Sequence, residues 1–221
     1  LVAWDKSGKQ FEAGVWPEQQ YNMTRLLYDD LSTWRSDLKK TAISIAPLSY
    51  SLFPPSSVPP QQRATWIESA AGDLLKGGSF LWFGTDENGR TRNLAHPALR
   101  DTCVAFFYTG PYRVARRQPD HFRTQLPISC LALVATAFHC IFDGLEKNGT
   151  GKCYPNFSSK DYSPVYRKML QIIKDTLKNE YHGPRLLAQL REWAEVGWAE
   201  NIKLDGSAAE ARHDHLQVIL D

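Results

Sequence analysis

Across residues 90–123 the chain carries seven arginines, Arg90, Arg92, Arg100, Arg113, Arg116, Arg117 and Arg123, with no lysine and only two acids, Asp101 and Asp120. The whole 221-residue chain has a formal net charge of +2, so positive charge is gathered in this segment rather than spread over the surface. A guanidinium is planar, permanently charged and presents a fork of donors that grips phosphate or carboxylate with two bonds. An arginine-only cluster therefore points to an anionic partner, either DNA or RNA or an acidic protein. Phe106, Phe107, Tyr108, Tyr112 and Phe122 interleave the arginines, a combination used on phosphates and bases. The opposite reading makes those rings core and pairs the arginines with acids on neighbouring helices such as Glu192, Glu195 or Asp29. The pI of about 8.3 lies below the value above about 9 common in nucleic-acid binders. No helix-turn-helix, zinc-finger or RNA-recognition signature is present, so sequence-specific readout is not expected.

A second chemistry is that of an acid–base pair. His139 and Asp143 stand four residues apart in an apolar stretch, so on a helix the carboxylate could orient the imidazole. A hydrolase would also need a nucleophile, for which Cys103 and Ser129 are the candidates, but no GxSxG context accompanies them. The competing reading is a core histidine with one satisfied hydrogen bond. His182 stands near a helix end, where positive charge is favoured without catalysis. Cys130, His139, Cys140, Cys153 and the His213, Asp214, His215 triplet lack the paired CxxC spacing of a structural zinc site. Phosphate-cradling GxxxxGK and GxGxxG motifs are absent. These residues predict no catalytic centre, no metal and no cofactor, with the His139/Asp143 hydrolase kept as the alternative.

The elements that must position these groups are helical. Pro17 opens a helix whose face runs through Leu27, Leu31, Trp34, Leu38, Ala42 and Ile45, and it ends at Pro47. Residues 47–60 hold five prolines and predict a stiff inter-helix strap. A second helix spans 61–76 and stops at Gly77 and Gly78. Residues 79–84 (SFLWFG) then read as a short strand, and Asn88-Gly89 as a hairpin turn, giving one short β-ribbon. His96-Pro97 opens a third helix closed by Gly110-Pro111. Residues 127–145 form a helix apolar almost all round, which belongs at the centre. Ser163-Pro164 opens the fifth helix, and His182-Gly183-Pro184 breaks the chain before a sixth reaches about residue 200, with Gly197 on its inner face.

The fold class expected is all-α: a single domain of about six principal helices with that one ribbon. Residues 1–16 are expected to lead in from a longer protein, 17–200 to form the helical domain, and 201–221 to be a polar tail or small docking helix. Trp4 and Trp16 are candidates for an interface patch with an upstream segment. The apolar run at 128–142 is interrupted by Ser129, Thr136 and His139 and is read as core, not membrane. Four cysteines, Cys103, Cys130, Cys140 and Cys153, suit a reducing intracellular compartment, although sequons at Asn22, Asn148 and Asn156 would serve a secreted chain.

The blocks LYDDLSTWRSDLKKTA, FGTDENGRTRNLAHPALRD, FFYTGPYRVARRQPD and YHGPRLLAQLREWAEVGWAE resemble the diagnostic segments of a helical family of unknown function abundant in mushroom-forming (basidiomycete) fungi. The resemblance covers most of residues 20–200. It implies a shared helical fold and brings no established activity, substrate or catalytic residue. Members often follow long polar regions, which implies a place in a larger protein and a nuclear setting. The expected function is thus a non-enzymatic binding module for an anionic partner, nucleic acid preferred. A protein-interaction scaffold whose arginines are internally paired is the remaining alternative.

Overall fold

The computed structural model describes residues 20–210, with side chains described at residue 25 and over 29–203. The expected lead-in of 1–16 with Trp4 and Trp16, the helix start at Pro17 and the His213 to His215 triplet lie outside them. Two units divide the chain, Leu1–Asp37 and Leu38–Asp221. The first helix, α1 (Gln20–Ser49), has residues in both. In the first unit Asp29, Asp30 and Leu31 are exposed, so Leu31 does not share the buried stripe expected of it.

In the second unit the buried stripe of α1 is Leu38, Ala42 and Ala46, four residues apart and thus on one face. Pro47 does not end this helix, which runs two residues further. The turn beyond it is held by Tyr50 N–H to the Ala46 carbonyl (3.0 Å) and Leu52 N–H to the Pro47 carbonyl (2.9 Å). The proline strap then leads to α2 (Arg63–Leu75).

The expected strand at 79–84 is absent, and with it the β-ribbon. Gly77 and Gly78 adopt φ of 66° and 71°, and Lys76–Leu81 folds into a tight helical turn that buries Phe80 and Leu81. Beyond it a single antiparallel bridge joins Thr85 to Thr91. The Asn88-Gly89 turn does form, but Asp86 closes it with its own carboxylate, accepting from the amides of Asn88 (2.9 Å) and Arg90 (3.0 Å). Leu94, at φ 56°, turns the chain away before a second strand can extend.

His96 caps α3 (Pro97–Cys103), its Nδ1 accepting from Ala98 N–H at 3.2 Å. The helix widens into a π-turn, Val104–Tyr108, that buries Phe106, Phe107 and Tyr108. Residues 111–127, expected as loop, contain two four-residue helices, α4 (Val114–Arg117) and α5 (Pro119–Phe122). The central helix α6 (Ile128–Asn148) is buried on nearly every side, by α2, α3 and the next helix. Its 21 residues are long and apolar enough to cross a membrane by composition, yet two-thirds of its apolar window is buried inside the protein, as suits a core helix. Gly149 ends it at φ 58°; a Cβ there would lie 2.1 Å from the Ala64 carbonyl oxygen, so only glycine lets α2 approach this closely.

Helix α7 (Ser159–Lys178) starts earlier than Ser163-Pro164 suggests. Ser158 and Asp161 set the start: the Ser158 hydroxyl accepts from Asp161 N–H (3.1 Å) and donates to its carboxylate (2.5 Å). Pro164 therefore sits inside the helix. Asn179 turns the chain by accepting from the amides of Tyr181 and His182, both at 2.9 Å. Helix α8 (His182–Glu210) follows and extends past residue 200. Among the described residues there are eight helices and no sheet.

Candidate functional site

The arginine segment is laid along α8. At its start, Asp86 Oδ2 accepts from the Tyr181 hydroxyl (2.6 Å) and Arg185 Nη2 donates to Glu87 (2.7 Å). Gln189 then donates to the Leu94 carbonyl (2.7 Å), and Leu126 N–H to the Leu190 carbonyl (3.0 Å). Further along, Trp198 Nε1 donates to the Phe122 carbonyl (3.0 Å), and Asn201 meets Arg116 and the Tyr108 carbonyl. From Arg185 to Asn201 the helix rises about 24 Å at 1.5 Å per residue, so the seven arginines are strung out rather than gathered.

Their environments sort them. Arg90 stacks its guanidinium 4.0 Å from the centre of the Tyr181 ring, which Arg185 also covers at 3.9 Å. Arg100 is paired with its neighbour Asp101 at 2.9 Å. Arg116 is half-buried and donates through Nε and Nη2 to Asn201, so it is a structural tie. Arg92 is exposed and borders a cleft of about 470 Å³ with Thr85, His182, Arg185 and Glu192. Arg113, Arg117 and Arg123 are exposed and make no side-chain hydrogen bond or ion pair among the described residues, Glu192 and Glu195 included. Arg113 and Arg117 stand one helical turn apart, joined by Arg117 N–H to the Arg113 carbonyl (3.0 Å).

Buried anchors hold these three in place. Ala115 lies between Arg113 and Arg117, and Phe122 precedes Arg123, at 0% and 4% exposure. Arg113 adopts φ 48°, a left-handed conformation that disfavours any side chain. The interleaved rings prove to be core: Phe106, Phe107, Tyr108 and Phe122 are buried, and Tyr112 leans on Phe106 with centroids 5.7 Å apart. A further arginine, Arg191, is exposed on α8 one residue after Leu190, whose carbonyl receives Leu126 N–H. Its place in a lone helical stripe carried no signal, because only the tertiary contact brings it beside the arginine segment.

The acid–base candidates are placed differently from a base and its orienter. Asp143 accepts from the Tyr162 hydroxyl (3.0 Å) and pairs with Lys147 (2.9 Å), and no hydrogen bond joins it to His139. Burial raises the Asp143 pKa, but the bonds from Lys147 and Tyr162 outweigh it and hold the carboxyl below its ordinary range. Burial lowers the pKa of His139, against the nearby Asp143 and Glu146 carboxylates, and its buried Nδ1 has no hydrogen-bond partner among the described residues. Cys103 is fully buried beside Cys130, not beside His139, and burial pushes the Cys130 thiol up to about 12. Ser129 stands on the first turn of α6 and is exposed. Among the described residues no three His, Cys, Asp or Glu side chains gather as a metal site.

Among the described residues these features define a mostly helical protein in which an arginine-rich segment, laid along the last helix, holds three guanidiniums with no hydrogen-bond or ion-pair partner. The chain belongs to the family described as Domain of unknown function (DUF6532), whose model matches residues 2–176. Helix α8, which anchors the arginine segment, lies beyond the matched residues. No curated protein and no solved structure matches the chain.

Proposed function

We propose that this chain is a non-enzymatic binding module that takes an anionic partner, nucleic acid in preference to an acidic protein, through Arg113, Arg117 and Arg123. The observation that carries the reading is that these three exposed guanidiniums, within eleven residues of chain, make no ion pair among the described residues, not even with Asp120 between them. A guanidinium left unpaired on a preorganised segment retains its full capacity for a bidentate anion. Arg92 borders the cleft with Thr85, His182 and Glu192, and Arg90, Arg100 and Arg116 support the face through the contacts described above. Four free cysteines support an intracellular setting, in which the nucleus supplies the partner.

The test is binding of the purified chain to labelled nucleic acid and to a polyglutamate peptide at low and moderate salt, beside an Arg113→Ala, Arg117→Ala, Arg123→Ala triple variant. Salt-sensitive binding to nucleic acid that the folded triple variant loses is the expected result. Equal binding by parent and variant would remove the reading.

A protein-interaction scaffold is the second reading, favoured by the adjacent exposed rings of Trp82 and Phe83, at 44% and 49% exposure. Its signature would be partner binding that persists as salt rises.

A further inference from the structure

Resting on the nucleic-acid reading above, we infer that the basic face takes double-stranded nucleic acid by its phosphate backbone alone, without reading or stacking bases. The argument starts from the rings beside the arginines. Proteins that hold single strands use exposed aromatic faces as platforms for unstacked bases. Here every ring of the segment is committed elsewhere. Phe106 packs edge-on to Phe107 (5.2 Å between centroids), and Phe107 lies 6.0 Å from Phe122. Tyr108 contacts both Phe122 (5.7 Å) and Trp198 (6.0 Å). Tyr112 is half-buried against Phe106. A base leaving its stack would find no free face among the rings that interleave Arg113, Arg117 and Arg123.

Groove reading is excluded by the same geometry. The major groove admits a helix that projects several side chains onto base edges. Helices α4 and α5 have four residues each, about 6 Å of rise, and carry Ala115 and Phe122 into the core. The neighbouring α8 is the longest candidate, but its exposed positions include Glu192 and Glu195, and it buries Leu186, Leu190, Trp193 and Ala194. Carboxylates on a groove-entering face would meet the phosphates on either side.

What is left is three exposed guanidiniums on a backbone anchored by Ala115 and Phe122, which suits a densely charged phosphate backbone. A duplex carries one charge per about 1.7 Å of axis, and each contact releases about 0.9 counterion, against about 0.7 from a single strand. With no stacking to offset that difference, the duplex is the favoured partner. Three contacts give a slope of log K against log salt of about −2.7.

The experiment is fluorescence anisotropy of the intact chain with a mixed-sequence DNA duplex, its permuted-sequence counterpart, an RNA duplex and the corresponding DNA single strand, between 50 and 200 mM salt. The expected result has four parts: duplexes bind tighter than the single strand at every salt; permutation changes affinity less than about twofold; the slope is near −2.7; and Arg117→Ala lowers it by about 0.9. The DNA and RNA arms tell which duplex is preferred. A Tyr112→Ala variant should bind the single strand as the parent does. Tighter single-strand binding, or its loss in Tyr112→Ala, would overturn the duplex inference and leave the nucleic-acid function standing. Absence of binding to any of the four would overturn both.

Discussion

Gly197 of α8 lies against the face of the Tyr108 ring so closely that a Cβ at 197 would fall 2.5 Å from Tyr108 Cγ and 2.7 Å from both Cδ atoms. This contact sets the distance between α8 and the π-turn that begins the arginine loop. Tyr108 in turn donates its hydroxyl to the Phe122 carbonyl at 3.2 Å, beside the 3.0 Å bond from Trp198. Gly197→Ala should therefore push the ring, break the bond to Phe122 and destabilise the protein by about 1–3 kcal/mol, the range for overpacking a core. Urea unfolding measures this, and a midpoint equal to the parent's would show that the contact is slack.

Arg116 and its neighbours should separate cleanly. Arg116→Ala leaves the buried Asn201 side chain without its guanidinium partner, and a lost hydrogen bond to a charged group is worth about 1.5–3 kcal/mol. Arg117→Ala and Arg123→Ala, both at exposed positions without partners among the described residues, should shift stability by less than about 0.5 kcal/mol. Thermal melts of the three single variants make the comparison.

Arg113 occupies a left-handed backbone that glycine adopts without strain. Arg113→Gly should raise stability by up to about 1 kcal/mol, the strain of the left-handed form less the entropy glycine loses. The same variant should weaken nucleic-acid binding. A side chain kept at a strained position that does not serve stability is what a binding residue predicts; a variant less stable than the parent would contradict it.

His96 is buried, stacks on Tyr50 at 3.9 Å and accepts from Ala98, so burial lowers its pKa from 6.5 to about 4. The unfolded chain then binds a proton that the folded one refuses. Stability from this group is whole above pH 6.5 and falls as pH drops toward 4. In His96→Asn, which keeps an acceptor for the helix cap, that fall should flatten, while the melting temperature at pH 8 drops because the stack is lost. Melts across this window provide the check.

Asp86 titrates lower. The Tyr181 hydroxyl, aided by the amides of Arg90 and Asn88 and by Arg185, outweighs its partial burial and holds its carboxyl below 3.8. Its contribution is present above that value and disappears as pH falls through the lowered folded pKa. Tyr181→Phe removes the largest cause, and the Asp86 pKa should rise toward its ordinary value in a carboxyl NMR titration. The variant would also loosen the turn that holds Arg90.

The helices were legible in the sequence because their signals are local. Apolar spacing marked the central helix from Leu131 to Leu145, and the glycine and proline punctuation at Gly77-Gly78 and Gly110-Pro111 falls where the chain turns. Gly197 read as a site of close approach, and it is one. The ribbon failed because SFLWFG has the composition of a strand, and composition does not reveal that two left-handed glycines before it have already curled the chain. Ser163-Pro164 misled for a related reason: Ser158 and Asp161 form a stronger cap, and a helix once started tolerates one missing amide at Pro164.

For the candidate site, the sequence determined the number and kind of the charges, since seven arginines against two acids is a property of composition alone. Which of them are available was decided by tertiary structure. Arg116 and Arg123 look alike in the chain, yet one is tied to Asn201, 85 residues away, and the other is exposed without a partner among the described residues. The rings that interleave the arginines, Phe106, Phe107, Tyr108 and Phe122, fit base stacking equally well until packing against one another, and of Tyr108 against Trp198, buries them. Charge is fixed by covalent chemistry, but exposure and pairing depend on which distant segment the fold lays alongside, and here that segment is α8.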